Sequence, residues 1–277
     1  MGKQGQQIYV EIPVRASLDR LWQLSQDPDM HPRWDLRFTA IRPVDPVAAP
    51  LGAKGNDPDG TQHFSYEFVL PFHTICGTGT SLGTRVSGSG HTTSVLKFAT
   101  SDVLSPIESG AGYWRYVPDD GGVRFITGYN YQPGWGPLGK LLDARVIRPA
   151  LGWATAVSFD RLRLWAENDT NPATARNAWL ADAFARAVGI GLALLLLQAP
   201  AKPTTGARPQ GQPGSPGRIR IRDRRLTTVP AAATLIIAAL ACPAARIVPR
   251  AARCSRSTAD LTVSRAPSAL ADLQEPA

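Results

Sequence analysis

The sequence predicts an α+β domain, one antiparallel sheet closed by a long helix, followed by a tail of a different kind. Three observations carry this. Strand patterns run without interruption from residue 61 to 131, between two helical regions. Every Phe, Trp and Tyr of the 277-residue chain lies before position 185, so the means of building a large core stop there. Charge divides at the same place: residues 1–199 carry 18 Lys+Arg against 18 Asp+Glu, and residues 200–277 carry 12 against 4, so the whole net charge of +8 belongs to the tail.

The elements follow in order. Ile8 to Val14 is β-rich and contains a proline, after which Ser17 is an N-cap with Asp19 in the first turn. Leu18, Leu21, Trp22 and Ser25 share one helical face, and Asp27-Pro28 stops that helix. A short turn around His31-Pro32-Arg33-Trp34 leads to a strand over 35–44, and Pro46 to Gly60 is a long loop rich in Pro, Gly and Asp. From Thr61 to Leu70, Phe64, Tyr66, Phe68 and Leu70 alternate with His63, Ser65, Glu67 and Val69, the period of a strand with one apolar face. Further strands are predicted at 73–84, 92–100, 102–107, 111–118 and 122–131, with turns at Ser87-Gly88-Ser89-Gly90 and Asp119-Asp120-Gly121-Gly122. Asp and Gly tolerate the positive φ that tight hairpins demand. Pro133 to Pro137 ends the sheet, and Leu138 to about Glu167 reads as one long helix kinked at Pro149.

Beyond it the chain loses these features. Asn168 to Thr174 is a linker, and 175–198 is an apolar helix whose uncharged stretch, Ala187 to Ala201, spans 15 residues, short of the roughly 20 that cross a bilayer. Residues 199–277 read as a disordered or weakly helical basic tail: a Pro/Gly-rich linker, a basic cluster at 218–225, and a 20-residue uncharged run, Leu226 to Ala245, placing a candidate membrane segment at 226–245. The basic cluster beside the uncharged run reads equally as an anchor on an anionic membrane surface, a plain disordered tail, or a GC-rich reading frame not selected to fold; nucleic acid is not expected, because the charge is not spread over a folded face. Cys76, Cys242 and Cys254 form neither a disulfide framework nor a metal-ligand spacing, and no secretory signal is visible, so the domain is expected to face the cytoplasm with association to membrane through the tail.

Several local sequences carry a resemblance. Ile8-Tyr9-Val10-Glu11-Ile12-Pro13-Val14-Arg15-Ala16-Ser17-Leu18-Asp19-Arg20-Leu21-Trp22, then Asp27-Pro28 and Arg33-Trp34-Asp35, then the long final helix, resemble the START-like (SRPBCC) superfamily of polyketide cyclase/dehydrase and lipid-transport proteins, which shares its helix-grip fold with Bet v-type pollen allergens. The resemblance covers residues 7 to about 167, giving a domain at 1–168. It implies a curved antiparallel sheet gripping the long helix, with an apolar cavity between them for a lipid, quinone or polyketide. Some members are enzymes and others carriers, so fold leaves function open.

Aromatic alternation supplies the site candidates: Tyr66, Phe68, Trp114, Tyr116, Phe125 and Tyr129 on strands, with Trp153 on the helix. Ordinary core packing accounts for any one of them; the tyrosines favour a pocket, because buried hydroxyls need partners and ligand sites hold a few placed polar groups. His31, His63, His73 and His91 show no metal spacing, and no cofactor fingerprint is present; Gly77-Thr78-Gly79 sits in a β setting without the helix a phosphate loop needs. His63 or His73 as a general base, with Arg115 or Tyr129 polarising a carbonyl, would serve cyclase chemistry. The preferred expectation is a non-enzymatic carrier of a small hydrophobic ligand, with no catalytic residues assigned. The alternatives are a cyclase or dehydratase using the same cavity, and a membrane-tethered interaction protein.

Overall fold

The computed structural model describes residues 7–44, 60–86, 91–198, 225–258, 260–273 and 276. The turn expected at 87–90, most of the loop at 46–60, the linker at 199–217 and nearly all of the basic cluster at 218–225 fall outside them. Described residues divide into two compact units, Met1–Arg176 with Pro249–Ala277, and Asn177–Val248.

The first unit is a seven-stranded sheet in which all neighbours are antiparallel, in the order β1-β7-β6-β5-β4-β3-β2. The strands are β1 (Ile8–Val14), β2 (Ala40–Pro43), β3 (Thr61–Leu70), β4 (His73–Val86), β5 (Thr92–Ala99), β6 (Ile107–Asp119) and β7 (Gly122–Pro133). Between β1 and β2 lie α1 (Leu18–Gln26), capped by the Ser17 side chain accepting from the Arg20 amide, and the short α2 (His31–Trp34). After β7 come α3 (Gly136–Leu142), a π-type turn at Asp143–Ile147, and the 21-residue α4 (Arg148–Asn168). Sheet and long helix together make the helix-grip fold.

Three local details differ from the sequence reading. The expected strand over 102–107 is a loop and β6 starts at Ile107, with the Asp102 carboxylate accepting from the Leu104 amide, a side-chain turn that competes with ladder pairing. The expected kink is a change of helix type: Pro149 has no N–H to give the preceding turn, and the chain winds wider there before α4 begins. The strand expected at 35–44 shortens to Ala40–Pro43, because Asp35 is drawn into the interior.

The inner core joins β1, β6 and β7 to the helices. Ile8, Val10, Ile12 and Val14 meet Trp114, Tyr116, Phe125, Tyr129, Phe159, Leu162 and Trp34 in one buried cluster. Phe125 stacks on Phe159 with centroids 4.5 Å apart, and burying each such ring stabilises the fold by about 1.5–3 kcal/mol.

The outer face of the sheet is covered too, and here the structure departs from the free tail expected at 199–277. Residues 262–273 pack against it, while 250–254 lie against α4 and the inner core. Val263, Ala269 and Leu273 join Tyr9, Val95, Tyr113, Val117 and Ile126 in a second buried cluster. The Arg115 guanidinium donates to the carbonyls of Thr262 at 2.8 Å, Val263, and Arg265 at 3.0 Å, closing the C-terminal end of α7 (Leu261–Ser264). Ser255 pairs with Glu11 through two backbone hydrogen bonds of 2.9 and 3.0 Å. Buried Asp160 accepts from the Arg250 amide and from Arg253, each at 2.7 Å, and from Arg163 at 2.8 Å. This segment has no core of its own; it borrows the one the sheet already presents.

The second unit contains most of α5 (Pro172–Gln198) together with α6 (Arg225–Ala241). Gly189 faces the Ala239 methyl, and Arg186, paired with Asp182 at 2.7 Å, donates to the carbonyls of Ala239 and Cys242 at the end of α6.

Candidate functional site

The antiparallel register places Phe64, Tyr66, Phe68, Leu96, Phe98, Trp114, Tyr116, Phe125 and Tyr129 on one face of the sheet, that of α4. Along this inner face two regions differ. At the β1–β7–β6 end the aromatics are packing. Tyr116 is wholly buried, its hydroxyl 2.7 Å from Ser25 and 2.8 Å from the Gln26 amide that donates to it; burial raises its pKa well above the ordinary phenol. Trp114 leans on Trp34 and Phe125, and Phe125 on Phe159.

At the β3–β4–β5 end the rings lie down. Phe64 covers Gly79, Tyr66 covers Gly77 and Phe98 covers Gly110, so closely that a Cβ on any of these glycines would fall 2.2–2.3 Å from a ring atom. Flattened this way, the rings form a smooth apolar floor, and Phe64 and Phe98 stay only half-buried. Tyr66 is held by desolvation at a pKa of about 12 and points its hydroxyl at the Ala99 carbonyl. Phe68 is half-buried on the same face.

One polar group sits beside this floor. The Asp35 carboxylate, wholly buried, accepts from Arg37 through Nε at 2.9 Å and Nη2 at 2.6 Å, from the Arg37 amide, from Ser158 and from His31 at 3.1 Å. Burial alone would raise its pKa, but Arg37 and His31 overcome that and hold it well below the carboxylate range. The Arg37 guanidinium reaches over the Tyr129 and Phe38 rings at 5.5 and 5.7 Å. His31 lies among Trp34, Phe38 and Trp114, with centroids 4.8–5.2 Å away, and burial lowers its pKa, keeping it neutral at pH 7. Tyr129 shares a 3.0 Å hydrogen bond with Thr155 of α4.

Of the residues the sequence singled out, Tyr66, Phe68 and Tyr129 lie on or beside this floor, Trp114, Tyr116 and Phe125 belong to the packed end, and Trp153 is 41% exposed on α4. Sequence reasoning missed Phe38, Arg37, Asp35 and His31 as a group. The signal was thin: four residues around a turn, with nothing in their spacing to say that Asp35 turns inward. The proposed general-base pairings do not form. Arg115 lies on the outer face, spent on residues 262–265, and His63 is on that face too. His73 is on the inner side at the end of β4, its Nε2 2.7 Å from Asp102.

No family model matches the chain. YndG of Bacillus subtilis (strain 168), described as an uncharacterized membrane protein, is 40% identical over 167 residues, covering 60% of this chain; the chain spans 59% of that relative's length. Solved structures similar to part of it include the Zhui aromatase/cyclase of Streptomyces sp. R1128, 11% identical with a TM-score of 0.40, covering 60% of this chain and 98% of that one. A STAR-related lipid transfer protein of Xanthomonas axonopodis is 18% identical with a TM-score of 0.39, covering 55% and 83%. The protein jhp0584 of Helicobacter pylori is 14% identical with a TM-score of 0.44, covering 60% and 90%.

Proposed function

We propose that the sheet domain binds one small hydrophobic molecule, a lipid, quinone or polyketide-like compound, between the β3–β5 floor and α4, in a chain that α5 holds at a membrane. The observation that carries the ligand is the pairing of Phe64, Tyr66 and Phe98 with Gly79, Gly77 and Gly110. Aromatics that need only fill a core stand up from the sheet; these lie flat, as the floor of a ligand site would. Tyr66, Phe68 and Tyr129 line the bound molecule, and Arg37 with Asp35 supplies the polar contact that orients it. For the membrane, α5 is 27 residues long and apolar, and only 6% of its most apolar 18-residue window is buried within the protein.

Lifting the rings tests the ligand site. The three atoms nearest a methyl at Gly79 or Gly110 are all ring atoms of Phe64 or Phe98, so Gly79→Ala with Gly110→Ala is expected to swing both rings off the sheet. The chain purified in detergent is expected to carry a non-covalent adduct by native mass spectrometry. The double variant is expected to lose it while unfolding at nearly the same denaturant concentration. An adduct-free parent, with the variant destabilised by about 1–3 kcal/mol from overpacking, would show the space to be filled and end the proposal.

A further inference from the structure

We infer that the end of the sheet domain formed by the β3–β4 turn, the β5–β6 loop and α3 docks onto the headgroup layer of a lipid bilayer. The antiparallel order brings these three segments together. Leu70 pairs with His73, Ala99 with Ser109 and Ile107 with Pro133, so all three connections leave the sheet at one end. They are tied to each other: the Gly134 amide donates to the Pro106 carbonyl, and His73 is bonded to Asp102.

Each segment points bare apolar side chains outward. Phe72 is fully exposed, Val103 is 84% exposed and Leu141 65%, with Leu104, Trp135 and Leu138 exposed around them. A soluble surface scatters such residues singly; six at one end form a patch that calls for a partner. Trp135 adds a second observation. It holds the left-handed conformation, φ 58°, at the start of α3, a strained state for a residue with a side chain, and yet its indole is left 42% exposed.

The chemistry selects lipid. Trp135, Leu138, Leu141 and Val146 alternate with exposed Lys140 and Arg145, the composition of a segment that lies in a bilayer interface, where Trp settles at headgroup depth and basic groups meet phosphates. Asp102 and Asp143 are engaged by His73 and Arg148 and present little free negative charge. The inference rests on the membrane reading of α5, which puts a bilayer within reach of the same chain. The docked end is also the end at which β3, β4 and β5 leave the aromatic floor, so a molecule drawn from the bilayer would enter there.

The experiment uses the full chain, its three cysteines replaced by Ser, with one cysteine at Phe72, Val103, Leu141 or, at the opposite end of the sheet, Asp120. Each carries an environment-sensitive dye and is reconstituted into vesicles of phosphatidylcholine and phosphatidylglycerol. Dyes at the first three sites are expected to shift to the blue and to be quenched by spin-labelled lipid, and the dye at Asp120 to do neither. Water-exposed dyes at all sites in a chain that resists alkaline extraction would overturn the docking and leave the α5 anchor standing. Quenched dyes in a chain that alkali strips off would keep the docking and overturn the anchor. A blue shift that needs no lipid and grows with protein concentration would assign the face to a second copy and overturn the inference. Should the Ser background fail to fold, amide exchange serves instead: residues 70–73 and 100–106 exchange more slowly in vesicles than in a Phe72→Asp, Val103→Asp, Leu141→Asp chain, and equal rates would overturn the docking.

Discussion

The sheet domain and the α5–α6 unit use opposite packing rules. In the first, the largest side chains are inside: Trp34, Tyr113, Tyr116, Phe125 and Phe159 are all under 2% exposed. In the second, the wholly buried side chains among the described residues are Ala193 and Ala232, with Val248 at 4%, and Gly189 faces the Ala239 methyl, while Phe184, Leu195 and Leu240 are 72%, 64% and 71% exposed. Water rewards burial of large apolar area; lipid does not, and helices packed in lipid meet through small residues with large ones turned outward. This inversion is a physical argument behind the proposal that α5 sits in a membrane. What looks like poor core design in water is ordinary design in hydrocarbon.

The comparison can be broken most severely in the sheet domain. Asp35→Ala leaves the largely covered Arg37 guanidinium without its carboxylate and is expected to destabilise that domain by about 3 kcal/mol, read from denaturant unfolding followed by tryptophan fluorescence. A loss under about 1 kcal/mol would mean that water reaches the site, and the contrast between a dry core and a lipid-facing unit would weaken. The second test lies in α5. Val188→Lys places a charge on its exposed apolar face near the middle of its apolar stretch, and insertion is expected to become less favourable by about 2.5–3.5 kcal/mol, seen as a growing soluble fraction on ultracentrifugation. If the variant fractionates as the parent does and is no less stable, α5 faces water and the inversion has another cause. The smallest effect sharpens the boundary between docked and free tail. Burial first, then Asp160, pushes the Cys254 thiol up to about 12, and its Sγ donates to the Ala156 carbonyl. A thiol reagent at pH 8 is expected to modify exposed Cys76 and Cys242 and to spare Cys254 until Asp160→Asn loosens the hold on Arg250 and Arg253. Equal labelling of all three in the parent chain would show that residues 249–273 do not stay docked.

Much of the sheet domain was legible in the chain itself. Alternation in 61–70, the Asp-Gly turn at 119–122, the Ser17 cap and the stop at Asp27-Pro28 are local signals, and local signals carry strand, turn and helix ends because backbone conformation answers to near neighbours. The aromatic faces were visible in the same way, since period two assigns a side of the sheet. Which aromatics fill the core and which lie flat was not visible. That depends on the residue across the strand pair, Gly79 under Phe64 or Thr127 opposite Trp114, and register joins positions far apart in sequence. The buried Asp35 was hidden for the same reason: its cost in isolation is prohibitive, and only Arg37, His31 and Ser158, brought together by folding, make it tenable.

The tail shows the limit most clearly. Composition determined that residues 200–277, without an aromatic, hold no core of their own, and that the net positive charge resides there. Tertiary structure decided that 249–273 nevertheless pack, because the sheet presents Tyr9, Tyr113, Val117 and Ile126 on its outer face and α4 presents Asp160, supplying the apolar area and the counter-charge that the segment lacks. A sequence states what a segment can bury by itself; what it can borrow depends on a surface that exists only after the rest has folded.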